Sequence, residues 1–198
     1  MKVYKLKHSR GLGSIYATPN NERFVSEFLT KLPEIPAEFK ISPFQLADPT
    51  QPSADFYRID NSVLVFSKNV YMGLLGQSLT YAGNIHVTTL NDTGEEVFLL
   101  NVTAVYNCLD KSRTGFRSSR GEEKGVDHRM GVLTPAFFSG LIGDSSLFRV
   151  PQQLRSTIYV ASRGHGSSDD FYFMYQQSGL KGLEFEEVWD SARDEPGA

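Results

Sequence analysis

The side chains that could carry acid–base or metal chemistry in this chain are few and scattered. Its four histidines, His8, His86, His128 and His165, lie far apart, and none forms a spaced pair with another His or with the single cysteine. A structural zinc site draws on about four N/S ligands, which this spacing does not supply. Asp127-His128, and His165 with Asp169 or Asp170, would make a general acid–base pair only if the fold joined them. Loop histidines in solvent need no such coincidence. Cys108, just past the apolar run 102–106, reads as a small buried hydrophobe. An activated thiolate needs a His or a helix N-terminus beside it, and neither is near in sequence. Gly11-Leu12-Gly13 carries Tyr16 where a dinucleotide fingerprint has its third glycine. Gly76-Gln77-Ser78-Leu79-Thr80 carries Thr80 where a nucleophile elbow needs glycine. Both read as ordinary local structure, so the reading assigns no catalytic residue, no cofactor and no metal.

Charge is more suggestive. Lys111, Arg113, Arg117, Arg120, Lys124 and Arg129 form a basic run interrupted by Glu122, Glu123 and Asp127. Glu184, Glu186, Glu187, Asp190, Asp194 and Glu195 make the far end acidic. Glu184 and Glu186 share one face of a strand. They suit a charged outer face on an edge strand, a general acid and base, or a surface that meets a basic partner.

The elements that must position these groups follow from periodicity. Val3, Tyr4 and Leu6 among lysines predict a half-buried first strand. Asn20 or Asn21 can cap a helix bearing Phe24, Val25, Phe28, Leu29 and Leu32, which Pro33 ends. Pro33, Pro36, Pro43, Pro49 and Pro52 mark an irregular connector, its apolar residues arguing for a wrap-around loop. Val63-Leu64-Val65-Phe66 predicts a strand buried on both faces, followed by a short helix with Val70, Tyr71, Leu74 and Leu75. Residues 85–90 and 97–106 flank Asn91-Asp92-Thr93-Gly94, a hairpin signal. Residues 111–131 read as an exposed loop or ragged hairpin, with burial resuming at Val132-Leu133 and Ala136-Phe137-Phe138. Residues 147–150 and 156–160 predict a strand pair around Pro151. A last helix starts near Ser168, with Phe171, Met174 and Tyr175 on its apolar face and Gly179 at the left-handed stop. In the closing strand, Leu183, Phe185 and Trp189 are expected on one face.

The expected fold class is α+β, a mostly antiparallel sheet with a few short helices. One domain is expected over residues 1–198, in which residues 1–55 could form an N-terminal appendage to a core at 56–190. With 40% hydrophobic and 22% charged residues a real core is within reach. A net charge of −3 gives no general pull toward nucleic acid or anionic membrane. No apolar window approaches the roughly 18 residues of a bilayer span. One cysteine excludes an internal disulfide, and a cytoplasmic location is expected.

Several segments, in this order, resemble a family of bacterial immunity proteins from polymorphic toxin systems, immunity protein family eleven. Lys2-Val3-Tyr4-Lys5-Leu6 is similar to its basic-aromatic first strand. Val63-Leu64-Val65-Phe66-Ser67 and the helix after it resemble its central apolar strand. Val97-Phe98-Leu99-Leu100-Asn101-Val102 leading to Cys108-Leu109-Asp110 resembles the strand that ends in a Leu-Asp pair. The close is nearest: Ile158-Tyr159-Val160-Ala161-Ser162, the aromatic helix, then Gly179-Leu180-Lys181-Gly182-Leu183-Glu184-Phe185. Residues 8–55 match only loosely, and 111–131 follow no family pattern.

The resemblance implies a cytoplasmic protein that binds a cognate toxin and blocks it by direct contact, with no enzyme activity and no cofactor. It transfers no contact residues. The charge pattern offers two expected contact surfaces, Glu184, Glu186 and Glu187, or Arg113, Arg117 and Arg120. Partners in this reading are a toxin protein and a second copy in a homodimer, with no membrane and with nucleic acid disfavoured. The rival readings are an enzyme using His128 or His165 with nearby acids, and a nucleic-acid-binding accessory module using the 111–131 loop.

Overall fold

The computed structural model describes residues 1–10, 12–16, 41–48, 50, 54–57, 59, 63–118, 129–154, 156–164 and 169–194. Among them the strands are β1 (Lys2–His8), β2 (Ile15–Tyr16), β3 (Gln45–Leu46), β4 (Phe56–Tyr57), β5 (Leu64–Ser67), β6 (Gly83–Thr89), β7 (Glu96–Val102), β8 (Gly115–Ser118), β9 (Arg129–Thr134), β10 (Leu147–Phe148), β11 (Tyr159–Ser162) and β12 (Leu183–Asp190). The helices are α1 (Lys68–Met72), α2 (Gly76–Ala82), α3 (Phe171–Ser178) and α4 (Ser191–Asp194). The helix expected over residues 20–32 lies outside the described residues.

Two four-stranded sheets dominate, in the orders β10-β11-β1-β12 and β4-β5-β7-β6, and every ladder in them is antiparallel. The fold is therefore α+β, as expected. Between the sheets lies a core of Tyr4 and Leu6 from β1, Leu64 and Phe66 from β5, Phe98 and Leu100 from β7, and Phe171 and Tyr175 from α3. Val63, Val65, Val97 and Leu99 point the other way, into a second cluster with Ile15, Phe44 and Tyr57. The strands β5 and β7 are thus covered on both faces, which is why their sequence is a continuous apolar run instead of an alternation. A third cluster packs Val3, Phe137, Phe148, Tyr159 and Trp189 on the far face of the first sheet.

The N-terminal strand is not an appendage. β1 pairs with β11 on one side and β12 on the other, so it is interior to the first sheet. Ile15 and Phe44, which follow it, are buried in the cluster against β5 and β7. The physical reason is that both backbone edges of β1 are paired and both of its faces are covered, Val3 and Tyr4 serving different clusters.

The expectation for Trp189 also fails. Along β12 the register slips between Val3 and Tyr4: Tyr4 faces Glu187 while Val3 faces Trp189, leaving Val188 as an extra residue. Such a bulge reverses which face later side chains take. Leu183 and Phe185 therefore face the inter-sheet core, whereas Trp189 enters the opposite cluster.

Elsewhere the sequence signals translate directly. The 90–95 turn closes with Leu90 N–H donating to Glu95 O at 2.9 Å and Gly94 at φ +68°. Strands β10 and β11 pair as expected around Pro151. The run past Val102 leaves the sheet because Thr103 and Ala104 N–H both donate to Ala82 O, at 3.0 and 3.2 Å. Strands β8 and β9 form the ragged hairpin, with two register shifts. Within it Leu133 is exposed, and Phe138 further on is exposed too, against expectation.

Candidate functional site

The acidic strand end is held by the protein's own cations. β12 lies at the edge of its sheet beside β1, and the register sets Lys5 opposite Glu186 and Lys7 opposite Glu184. Lys7 Nζ reaches Glu186 Oε2 at 2.7 Å, and Lys2 Nζ reaches Glu187 Oε2 at 2.7 Å and Asp190 Oδ2 at 3.7 Å. Arg193, from α4, also pairs with Glu187, and its Nε lies 3.6 Å from Asp190. The hydrogen bond to Glu187 holds the Lys2 ammonium above its ordinary range. Of the three candidate glutamates, Glu186 and Glu187 are thus already paired across the sheet. Glu184 has no ion pair among the described residues.

The basic run is divided. Arg113 donates from Nε to Asp110 Oδ2 at 2.6 Å and also to the Asp194 carbonyl. Asp110 accepts from Ser112 Oγ at 2.6 Å as well. The Ser112 hydroxyl first, and the Arg113 guanidinium second, hold the Asp110 carboxyl down at about 2. Arg113 therefore closes a turn and ties it to α4, a structural duty the sequence did not reveal. Arg117 is exposed on β8, and Arg120 lies outside the described residues.

His128 and His165, on which the rival enzyme reading rests, also lie outside the described residues. His8 ends β1 in the first sheet and His86 lies on β6 in the second. Burial pushes the Cys108 thiol up to about 12, consistent with a packed apolar cysteine. Ser78 is buried within α2 and donates to Asp169 Oδ1 at 2.8 Å. No strand leads into it, so the strand-turn-helix context of a nucleophile elbow is missing. Among the described residues no group of three His, Cys, Asp or Glu is placed to hold a metal ion.

What the sequence reading missed is the face built by α1 and α2. Val70 buries one side of α1, and the Tyr71 ring stacks on Phe98 at 4.5 Å. A Cβ on Gly76 would sit 2.0 Å from the Tyr71 carbonyl oxygen, so glycine is needed where the two helices meet. Leu75, Leu79 and Ala82 then anchor α2 in the inter-sheet core. With the anchors inside, Met72, Leu74 and Tyr81 are left 74%, 68% and 67% exposed. Leu74 was expected within the first short helix; it instead lies in the turn between the two helices, where no helical face directs it inward.

Beside this patch opens a cavity of about 630 Å³ lined by Gln77 and Tyr81 of α2, Ala104, Tyr106, Asp144, Ser145 and Asp169. Its far wall is braced by Ser145 N–H donating to Tyr106 Oη at 3.1 Å and by Arg163, which donates to the carbonyls of Gly143 and Asp144. Asp169 sits just ahead of the α3 cap, and burial raises its carboxyl above the usual range. Its neighbour Asp170 is the cap itself, accepting from Phe173 N at 3.0 Å, Ser162 Oγ at 2.8 Å and Arg163 N at 2.9 Å. The available signal was a glycine-broken helical stretch with more large apolar residues than one short helix can bury.

No helix among the described residues is long and apolar enough to cross a membrane. No family model matches the chain, and no curated protein is significantly similar to it.

Proposed function

We propose that the protein is an immunity-type binding protein, acting in the cytoplasm, that neutralises a cognate bacterial toxin by direct contact. The observation that carries this reading is the exposed apolar face of Met72, Leu74 and Tyr81 beside a cavity whose lining includes Asp144, Ser145 and Asp169. Large apolar side chains clustered in solvent, rimmed by polar groups, are the common form of a protein–protein contact centre. Two further facts support it. The segments that resemble the immunity family, β1, β5 with α1, β7, and β11 through β12, build the two main sheets and so form the scaffold behind that face. Glu186, Glu187 and Arg113 are engaged within the molecule, which favours the α1–α2 face as the docking surface.

The test is co-expression. A toxin domain encoded beside this chain should arrest growth alone and be tolerated when this protein is present, with the two co-eluting as a complex. Growth arrest that persists despite abundant folded protein would sink the proposal.

A further inference from the structure

The cavity between α2 and the Asp144–Ser145 wall differs from a plain apolar groove. Two carboxylates, Asp144 and Asp169, stand on its lining together with the rings of Tyr81 and Tyr106. The nearby cation, Arg163, spends its hydrogen bonds on the carbonyls of Gly143 and Asp144, and only its charge reaches Asp169. Asp169 accepts one hydrogen bond, from Ser78 to Oδ1, and Oδ2 has no partner among the described residues. A carboxylate partly withdrawn from water beside aromatic faces is a favourable setting for a planar cation, which can pair with the acid and stack on the rings. The cavity is of side-chain size or larger. Its rim continues through Gln77 and Tyr81 into a shallower hollow lined by Met72, where exposed apolar surface would grip residues flanking that cation.

We infer that this cavity receives an arginine side chain from a basic segment of the partner protein, with apolar neighbours of that arginine seated on the α1–α2 patch. The assignment rests on the binding-protein reading of that face and names the partner's chemistry. Phosphate-bearing partners are disfavoured by the same two carboxylates. Charge complementarity would also speed the encounter and make it salt-sensitive.

The probe is the peptide acetyl-Leu-Arg-Leu-amide, titrated into the intact isotope-labelled protein at low salt, with its citrulline counterpart as the neutral isostere. Saturable shifts are expected at the amides of Gln77, Tyr81 and Ser145, with affinity at least about tenfold weaker for citrulline. The Asp144→Asn/Asp169→Asn double variant should lose the same factor, since asparagine keeps an acceptor for Ser78. If that variant does not fold, the citrulline arm on the wild-type protein decides alone. Equal binding of both peptides, no saturable shift, or shifts confined to β12 would overturn the assignment. Arginine binding without toxin protection removes the immunity reading alone; protection without arginine binding removes the cavity assignment alone.

Discussion

The end of β12 and the α1–α2 face both combine exposed charge with aromatic residues nearby, yet the fold treats them in opposite ways. On β12 the acids lie beside the lysines of β1, and Glu186 and Glu187 are paired at 2.7 Å with Lys7 and Lys2, each a diagonal neighbour across the ladder. Beside α2, Asp144 and Asp169 line a cavity near Arg163, whose charge reaches Asp169 but whose hydrogen bonds go to backbone carbonyls. Carboxylates are alike in sequence. Register decides which are satisfied. A row of acids is therefore poor grounds for a contact surface until the strand beside it is known.

If β12 is structural and α1–α2 is functional, substitutions in the first should move stability and in the second should move binding. The largest effect is expected at Gly182, where φ is +118° and a Cβ would meet the Phe56 carbonyl oxygen at 2.6 Å. Gly182→Ala should cost about 3 kcal/mol in urea unfolding, because it strains the junction of the two sheets. Next comes Asp170→Ala, which strips the α3 cap and leaves half-buried donors on Ser162 and Arg163 without their acceptor. A loss of about 2 kcal/mol in the same assay is expected.

The Met72→Ser/Leu74→Ser/Tyr81→Ser triple variant should weaken toxin binding by at least about tenfold in calorimetry, with little change in melting temperature. A variant that melts early but binds normally would exchange the roles of the two regions. Asp169→Asn contrasts with its neighbour. Burial raises the Asp169 carboxyl in the folded state, so its ionisation opposes folding. That penalty is absent below the unfolded-state value and fully present above the folded one. The variant should be at least as stable as the wild type at neutral pH, with any advantage disappearing as pH falls through the carboxylate range. Paired melts at neutral and acid pH measure this, and a variant less stable at neutral pH would contradict it. The smallest effect is expected from Glu184→Gln/Glu186→Gln/Glu187→Gln, since exposed pairs contribute little. Toxin affinity should change by less than about threefold. A tenfold loss would move the contact to β12.

How much of this was legible depends on the range of the interaction. The α3 stop at Gly179, φ +70°, with Leu180 packed back on the core, could be read from four consecutive residues. So could the 90–95 turn and the double burial of β5. The bulge at Val188 could not, because it exists only in relation to Val3 and Tyr4 on a strand some 185 positions away in sequence. The engagement of Arg113 with Asp110 was within local reach, at three residues' separation, and the charge count hid it.

By itself the sequence determined the apolar periods, the glycine stops and the absence of a disulfide, since these rest on local backbone conformation and composition. Only the tertiary structure decided that β1 is interior, that Glu186 and Glu187 are paired with lysines of β1, and that Asp144 and Asp169 meet Tyr81 and Tyr106 around one cavity. The reason is physical: pairing and desolvation are properties of neighbours in space, and a linear order of residues does not say who those neighbours are.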